Sequence, residues 1–195
     1  MAGEALLLDL DGTIWDSAPW YAARLSTNPA ERADLAIQLK KSGTTVSAAK
    51  LLRAAGYTTT RIRAECRTYG PPEFYPGALS TLQRYVQSDR TVAIVTNLPA
   101  WLVTPLVEGS ELENLVGHFE TGKRGVPAKP RPNLLLRALA ALQVAPTAAT
   151  MLGDTGADLK AASAAGTCFI WASWGYGGIP PEGTATAESW EELQL

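Results

Sequence analysis

The sequence predicts an α/β fold, in which a doubly wound parallel sheet carries a small all-helical insertion directly after its first strand. Short apolar runs that do not alternate with polar residues recur along the chain, with amphipathic helical patterns between them. That arrangement is typical of parallel strands buried on both faces and linked by helices. Between residues 16 and 74 the strand signals fade and helical signals crowd together. We therefore predict a core domain formed by residues 1–15 and 75–195, and an insertion formed by residues 16–74.

The predicted strands are the short apolar runs Ala5–Leu8, Thr91–Val95, Thr150–Leu152 and Cys168–Trp171. Two helices between them are predicted from apolar side chains that recur on one face. The first face comprises Leu79, Leu82 and Val86, and the second comprises Leu135, Ala138, Leu139 and Leu142. Pro132 suits the first turn of the second helix. A third, alanine-rich helix over Asp158–Ala165 is predicted to end at Gly166, because glycine favours helix C-termini.

Within the insertion, local signals predict a series of helices. Asn28-Pro29-Ala30-Glu31 resembles a helix N-cap followed by a first-turn proline and a capping-box acid, and that helix stops near Gly43. Thr44 or Thr45 can cap the next stretch, which ends at Gly56.

A later helix of the insertion is predicted from Ile62, Cys66 and Tyr69, which fall on one face. Trp190 and Leu193 favour a short closing helix near the end of the chain.

Composition excludes several classes of partner. The 195 residues include 17 Lys and Arg against 19 Asp and Glu, so there is no electrostatic reason to expect nucleic acid or an anionic membrane. No apolar stretch approaches the ~20 residues that span a bilayer, and the amino terminus does not resemble a signal peptide. We therefore predict a cytoplasmic protein. Its two cysteines are predicted to be buried free thiols.

Polar side chains follow three of the predicted strands at the points where the strands end. Asp9 and Asp11 follow the first strand, Thr96-Asn97 the second and Asp154 the third. Because ligands of open α/β sheets bind beyond the carboxyl ends of the strands, we expect these groups to converge. Crowded carboxylates need a compensating cation. Mg²⁺, which prefers oxygen ligands, is the predicted ion.

Lys129 lies just before the helix that begins near Pro132, from where it could reach the same edge as a phosphate-binding charge. A metal ion, a lysine, a hydroxyl group and a free carboxylate together favour phosphoryl transfer.

Four segments resemble, in order, the motifs of the haloacid-dehalogenase-like superfamily, and most closely those of its phosphoglycolate phosphatase-like branch. They are Asp9-Leu10-Asp11-Gly12-Thr13, Thr96-Asn97, Lys129-Pro130-Arg131-Pro132 and Gly153-Asp154-Thr155-Gly156-Ala157-Asp158. Tyr75-Pro76-Gly77 and Trp174-Gly175-Tyr176-Gly177 also resemble that branch. One DxD recurs by chance, whereas four ordered motifs at predicted strand ends and helix starts are specific. The resemblance implies a Rossmann-like core with a helical cap, and the insertion corresponds to that cap.

The resemblance also implies roles for the first motif. Asp9 is the expected nucleophile, which forms an aspartyl-phosphate. Asp11 is the expected general acid for the leaving oxygen and then the general base for water. The backbone carbonyl of Asp11 is an expected metal ligand, Gly12 allows the chain to turn, and Thr13 is expected to steady Asp11 by a hydrogen bond.

The other motifs complete the implied site. Thr96 and Asn97 are expected to hold the transferring phosphoryl oxygens, whose charge Lys129 neutralises. Asp154 is expected to ligate Mg²⁺ directly together with Asp9, while Asp158 binds it through water or orients Lys129.

Three functions remain open at this point. The first is a phosphatase that acts on a small phosphorylated metabolite, the predicted partner, with phosphoglycolate as the nearest analogy. The second is a phosphosugar mutase with the same motifs, and the third is a non-catalytic binding protein on this scaffold. Retention of every motif residue counts against the third. Dehalogenation is disfavoured, because haloacid dehalogenases lack an acid at the position of Asp11.

Two further residues have structural interpretations. Trp15 is predicted to pack against the insertion, and His118, the single histidine, is predicted to be structural.

Overall fold

A computed structural model describes residues 4–42 and 51–193 of the chain. The strands are β1 (Ala5–Leu8), β2 (Trp15–Asp16), β3 (Glu73–Phe74), β4 (Thr91–Pro99), β5 (His118–Gly122), β6 (Ala149–Gly153), β7 (Cys168–Ala172) and β8 (Thr186–Ala187). The helices are α1 (Ser17–Leu25), α2 (Pro29–Ser42), α3 (Thr59–Tyr69), α4 (Ala78–Gln87), α5 (Ala100–Val107), α6 (Glu111–Leu115), α7 (Asn133–Leu142) and α8 (Gly156–Ala165). Residues 51–54 are also helical.

The central feature is a six-stranded sheet with the order β5-β4-β1-β6-β7-β8. Its neighbouring strands pair in parallel. Along β1, Leu6 and Leu8 enter one apolar cluster, whereas Leu7 enters the cluster on the opposite face of the sheet. Because successive side chains of a strand point to opposite faces, helices on both faces bury all of β1. The predicted doubly wound α/β class is confirmed.

The predicted strands are all present, although their lengths differ. β1 has the predicted bounds, and β4 continues past Val95 to Pro99, with a register irregularity between those two residues. The edge strand β5 and the two-residue β8 were not predicted. β5 has the sequence His-Phe-Glu-Thr-Gly, which lacks the apolar run that marks a strand buried on both faces.

The three predicted helices of the core are present as α4, α7 and α8, whereas α5 and α6 were not predicted. Gly166, at φ 78°, ends α8 as predicted, and Pro132 immediately precedes α7 instead of lying in its first turn. In α4 the buried face centres on Leu82 and Tyr85, while the predicted Leu79 and Val86 are half-buried. None of the helices in the described part of the chain combines the length and apolar character needed to cross a bilayer.

The insertion is helical where the structure describes it. The helix predicted after Asn28 is α2, and the Asn28 side-chain oxygen accepts a hydrogen bond from the backbone N–H of Ala30 at 2.9 Å. The predictions that concern Gly43, Thr44 and Thr45 lie outside the described residues.

The face predicted for the last helix of the insertion is correct at two positions of three. Ile62 and Cys66 of α3 are buried, but Tyr69 is 65% exposed. Tyr69 is the last residue of α3, and its ring stands 4.5 Å from the guanidinium carbon of Arg24 instead of entering the core.

The prediction of a closing helix at the end of the chain is wrong. Residues 188–193 form bends and turns after β8. Trp190 and Leu193 are nevertheless buried, so their apolar character reflects individual packing and not a helical face. Both cysteines are free, and Cys66 is buried as predicted, whereas Cys168 is exposed.

The insertion connects to the core through a small antiparallel sheet. Trp15 of β2 pairs with Phe74 of β3, and Asp16 pairs with Glu73. The chain therefore leaves and re-enters the core at one point, a few residues beyond the carboxyl end of β1. We retain residues 16 and 74 as the proposed limits of the insertion.

Candidate active site

Three carboxylates converge at the carboxyl edge of the sheet. Asp9 follows β1, Asp154 follows β6, and Asp158 lies in the first turn of α8. One carboxylate oxygen of each lies within 4.8 Å of the others. Asp154 and Asp158 are completely buried. The sheet thus brings together Asp9, Asp154 and Asp158, whereas Asp11, which was also predicted at this edge, is not one of the carboxylates in this cluster.

Lys129 enters this cluster from the loop before α7. Its Nζ lies 2.7 Å from Asp9 Oδ1, 2.6 Å from Asp158 Oδ1 and 2.7 Å from the carbonyl oxygen of Val95. Burial lowers the pKa of the Lys129 ammonium, but the charges of Asp158 and Asp9 outweigh burial and hold the pKa above its ordinary value. Lys129 is therefore a buried cation whose three hydrogens each face an acceptor.

The negative charge of the cluster exceeds the charge of Lys129. Burial and the charge of Asp158 raise the pKa of Asp9 to about 7, against the opposing effect of Lys129. Burial and the charges of Asp9 and Asp158 raise the pKa of Asp154 well above its ordinary value. Both carboxylates would be stabilised in their charged form by an additional cation between them.

Asp158 has both carboxylate oxygens engaged. Oδ1 contacts Lys129, and Oδ2 accepts hydrogen bonds from the Thr155 backbone N–H at 3.0 Å and the Thr155 hydroxyl at 2.5 Å. Thr155 and Asp158 form a capping box at the start of α8. Of the two roles expected for Asp158, these contacts favour orientation of Lys129.

The Asn97 side chain holds the backbone of Lys129. Its Nδ2 donates to the Lys129 carbonyl at 3.0 Å, and its Oδ1 accepts from the Lys129 N–H at 2.9 Å. The Asn97 amide therefore fixes the backbone position of the residue whose ammonium enters the acidic cluster. The neighbouring Thr96 is buried, and its hydroxyl oxygen accepts from the Leu98 N–H at 3.2 Å, which leaves the hydroxyl hydrogen to donate.

A buried acid on β5 anchors the start of the loop that carries Lys129. Glu120 contacts Lys123 at 3.0 Å, Arg137 at 2.9 Å and His118 at 3.2 Å. Burial raises the pKa of Glu120, but its hydrogen bonds to Lys123, Arg137 and His118 outweigh burial and lower the pKa. His118 is thus structural, as predicted. Glu120 was missed, because it lies in a strand that carries no strand signal.

The turn after Asp9 is held by contacts that sequence reasoning missed. Thr13 donates its hydroxyl to Asp154 Oδ1 at 3.1 Å, so the predicted hydrogen bond from Thr13 to Asp11 is wrong. The indoles of Trp174 and Trp190 both donate to the carbonyl of Thr13, at 2.9 Å and 3.1 Å. Gly12 turns the chain at φ 79°. A Cβ at this position would overlap the Asp154 carboxylate.

The loop around Tyr176 encloses Asp154. The Tyr176 backbone N–H donates to Asp154 Oδ2 at 2.7 Å. A Cβ on either neighbouring glycine, Gly175 or Gly177, would collide with Asp154. Glycines on both sides of Tyr176 are the sequence feature that could have predicted this close approach. They were used only as part of a family resemblance.

Tyr176 also joins this loop to the insertion. Its hydroxyl donates to Asp16 Oδ1 at 2.7 Å and accepts from the Ala18 N–H at 3.2 Å. Asp16 forms an ion pair with Lys40 of α2. The helices α1 and α2 are therefore tied to the residue that contacts Asp154.

Asp11 receives a hydrogen bond from an indole. Trp15 Nε1 donates to Asp11 Oδ1 at 2.6 Å. Trp15 is completely buried and its ring centroid lies 6.0 Å from that of Phe74, which agrees with the predicted packing of Trp15 at the insertion. The hydrogen bond to Asp11 was not foreseen.

Two comparisons with known sequences match most of this chain. The sequence profile of the haloacid dehalogenase-like hydrolases matches residues 4–166. A phosphoglycolate phosphatase from Xanthomonas campestris pv. campestris (strain 8004) is 32% identical over 187 residues, which cover 88% of this chain and 84% of that protein.

Solved structures support the fold. CbbY from Rhodobacter sphaeroides in complex with phosphate superposes with a TM-score of 0.72 at 21% identity, covering 98% of this chain and 96% of that one. A HAD-superfamily hydrolase, subfamily IA, variant 1, from Geobacter sulfurreducens PCA gives a TM-score of 0.68 at 20% identity, with 98% and 97% covered.

Proposed function

This chain belongs to the haloacid dehalogenase-like hydrolase family, and from that premise we propose that it is a phosphatase that hydrolyses a small phosphate monoester through an aspartyl-phosphate. The observation that carries the proposal is the contact of Asp9 with the buried ammonium of Lys129 at the carboxyl edge of the sheet. The relative named a phosphoglycolate phosphatase makes 2-phosphoglycolate the first substrate to test.

The donor set fits a magnesium ion. The carboxylates of Asp9 and Asp154 and the backbone carbonyl of Asp11 are the proposed ligands. The fit rests on hard oxygen donors and on the burial and neighbouring negative charge that raise the pKa of both carboxylates. When bound, such an ion reduces the repulsion between an anionic nucleophile and the phosphoryl oxygens. Asp158 is not a proposed direct ligand, because its Oδ1 faces the Lys129 ammonium and its Oδ2 accepts two hydrogen bonds from Thr155. Each oxygen of Asp154, by contrast, accepts one hydrogen bond from a neutral donor, which leaves a lone pair for a metal ion.

The proposed first step transfers the phosphoryl group to Asp9. A carboxylate oxygen of Asp9 attacks phosphorus, the bond from phosphorus to the ester oxygen breaks, and Asp11 gives its proton to that oxygen. In the second step Asp11 takes a proton from water, whose oxygen attacks the phosphorus. The acyl phosphate is cleaved, inorganic phosphate leaves and the Asp9 carboxylate is restored.

The phosphoryl oxygens have three proposed donors. The Thr96 hydroxyl and the backbone N–H of Asn97 stand at the end of β4, and Lys129 already contacts the nucleophile. Lys129 is held by Asp158 and by the Asn97 side chain, so it is oriented before substrate arrives. Such preorganised donors stabilise charge that develops in the transition state.

The decisive experiment is a panel of phosphate monoesters, including 2-phosphoglycolate, assayed with and without Mg²⁺. We expect hydrolysis to release inorganic phosphate and to stop on thorough chelation. Asp154→Asn should lower kcat/KM by about 100-fold or more, because it removes a proposed metal ligand.

The matched control for this panel is Asp34→Asn, which makes the same chemical change on the exposed face of α2 and should leave activity unchanged. Undiminished hydrolysis after chelation would refute the metal assignment. Recovery of a phosphorylated sugar in place of inorganic phosphate would instead indicate the mutase.

We also propose that the helical insertion selects the substrate. It enters and leaves the core beside the nucleophile, at the paired strands β2 and β3. Through Asp16 and Lys40 it is tied to Tyr176, whose backbone contacts Asp154. An insertion that closes over the site would exclude water and strengthen contacts to the phosphoryl group.

Excision of residues 17–72, with a short glycine-serine linker from Asp16 to Glu73, tests the role of the insertion. Because these two residues are paired neighbours, the linker spans a short gap. We expect retained hydrolysis of 4-nitrophenyl phosphate, while the ratio of kcat/KM values between 2-phosphoglycolate and other metabolites falls by about 10-fold or more. Circular dichroism must show a folded core, since Leu102 and Leu106 share an apolar cluster with Leu39 of the insertion. Unchanged discrimination in a folded variant would assign selection to the core loops.

A further inference from the structure

The indole of Trp15 joins the proposed general acid to the point where the insertion meets the core. Its Nε1 donates to Asp11 Oδ1 at 2.6 Å. On the other side, its ring packs against Phe74, with the ring planes tilted by 53°. Trp15 and Phe74 are also backbone partners in the two-stranded sheet through which the chain enters and leaves the insertion.

The backbone of Trp15 belongs to the same turn as Asp11. Gly12 N–H donates to the Trp15 carbonyl at 3.0 Å, and Trp15 N–H donates to the Leu10 carbonyl at 3.3 Å. These bonds span the turn on both sides of Asp11. Since the Trp15 side chain is also fully buried, packing leaves the indole little freedom to rotate. The direction of its N–H is therefore set by the fold and not by Asp11.

A fixed donor limits how the Asp11 carboxyl group can be oriented. A hydrogen bond keeps the accepting oxygen close to the line of the donor N–H. With the indole N–H on Oδ1 at 2.6 Å, rotation of the Asp11 carboxyl group is restricted, so its second oxygen is held in one direction.

We propose that Trp15 is a positioning residue for Asp11, because its indole N–H fixes the orientation of the Asp11 carboxyl group. This inference rests on the proposed function, in which Asp11 protonates the leaving oxygen. Trp15 does not touch substrate in this role. It acts through Asp11, and burial of its ring together with its backbone hydrogen bonds holds it in place.

The test compares two esters that differ in how much their leaving groups depend on proton transfer. An alkyl ester such as 2-phosphoglycolate needs a proton on its leaving oxygen, whereas 4-nitrophenolate leaves with little assistance. In Trp15→Phe, which keeps an aromatic ring but removes the donor, we expect kcat for the alkyl ester to fall by about 10- to 100-fold, part of the effect that general acid catalysis supplies. The rate of phosphoenzyme formation from 4-nitrophenyl phosphate should change much less, and KM should stay near its wild-type value.

Three comparisons separate the hydrogen bond from packing. Phe74→Leu loosens the ring contact but keeps the indole N–H. It should therefore not change the ratio of kcat for the alkyl ester to the rate of phosphoenzyme formation from 4-nitrophenyl phosphate. Trp101→Phe makes the same substitution at a half-buried tryptophan of α5 and should resemble the wild type. Replacement of Trp15 by benzothienylalanine, in which sulfur stands where the N–H was, should reproduce the selective loss even if Trp15→Phe folds poorly.

Asp11→Asn, measured on the same two esters, distinguishes failure of this inference from failure of the proposed function. If Asp11→Asn shows the selective loss and the Trp15 variants lose both rates equally or neither, Trp15 is only structural and the inference is wrong. If Asp11→Asn itself lacks the selective loss, or the wild type hydrolyses neither ester, the assigned role of Asp11 fails and this inference fails with it.

Discussion

Asp9→Asn is expected to abolish turnover and phosphoenzyme formation together. The substitution replaces the carboxylate of the proposed nucleophile by an amide of nearly the same shape, so the loss reports on chemistry and not on packing. Asp9 is held by its contact with Lys129 at 2.7 Å and by the Asp9 N–H, which donates to the Leu152 carbonyl of β6 at 3.0 Å. Rapid-quench labelling with radioactive phosphate ester, followed by peptide mapping, is the measurement.

The comparison variant for Asp9 is Asp11→Asn, whose expected defect is different in kind. It should still form the phosphoenzyme from an activated aryl ester, but it should hydrolyse the intermediate more slowly by a factor of roughly 10² to 10⁴. The exposed Asp34→Asn again serves as the unaffected control. Phosphate trapped on Asp11, or on any residue other than Asp9, would contradict the assignment of the nucleophile.

Lys129→Met is expected to lower both the activity and the stability of the protein. Removing the ammonium leaves Asp9 and Asp158 without their shared partner in a buried site. The loss of one partner from a buried ion pair typically destabilises by about 3–5 kcal/mol. Loss of the cation beside the phosphoryl group should also lower kcat by roughly 10²- to 10³-fold.

Urea unfolding with and without Mg²⁺ measures the stability effect of Lys129. We expect added Mg²⁺ to stabilise Lys129→Met more than the wild type, because the variant holds more uncompensated negative charge. Lys160→Met, at an exposed position of α8, is the control and should match the wild type in both assays. Equal stability of Lys129→Met and the wild type in the absence of Mg²⁺ would show that the carboxylates do not depend on this lysine.

The class of fold and the edge of the sheet that carries the site were both predictable from local sequence. Buried parallel strands leave uninterrupted apolar runs, and β1 was predicted with its observed bounds. Once parallel strands are recognised, their carboxyl ends must share an edge, which placed Asp9 and Asp154 together. β5 and β8 escaped prediction because short edge strands are not buried on both faces and need no such run.

The partner of each polar atom was decided by the tertiary structure. Thr13 was expected to contact Asp11, two positions away, yet the turn at Gly12 directs Thr13 to Asp154, 141 residues along the chain. The contact of Asn97 with the phosphoryl group stays a prediction, while the structure adds that the Asn97 amide holds the backbone of Lys129.

By itself, then, the sequence determined the fold class and the set of acids at the sheet edge, because both follow from hydrophobic pattern and strand polarity. Only the tertiary structure decided that indoles hold the turn after Asp9, with Trp174 and Trp190 on the Thr13 carbonyl and Trp15 on Asp11. A hydrogen bond depends on tenths of an ångström and on donor direction. The distance and the donor direction are set by packing between segments that are far apart in the chain, such as Trp190 and Thr13, which differ by 177 in residue number. Local sequence patterns therefore do not predict them.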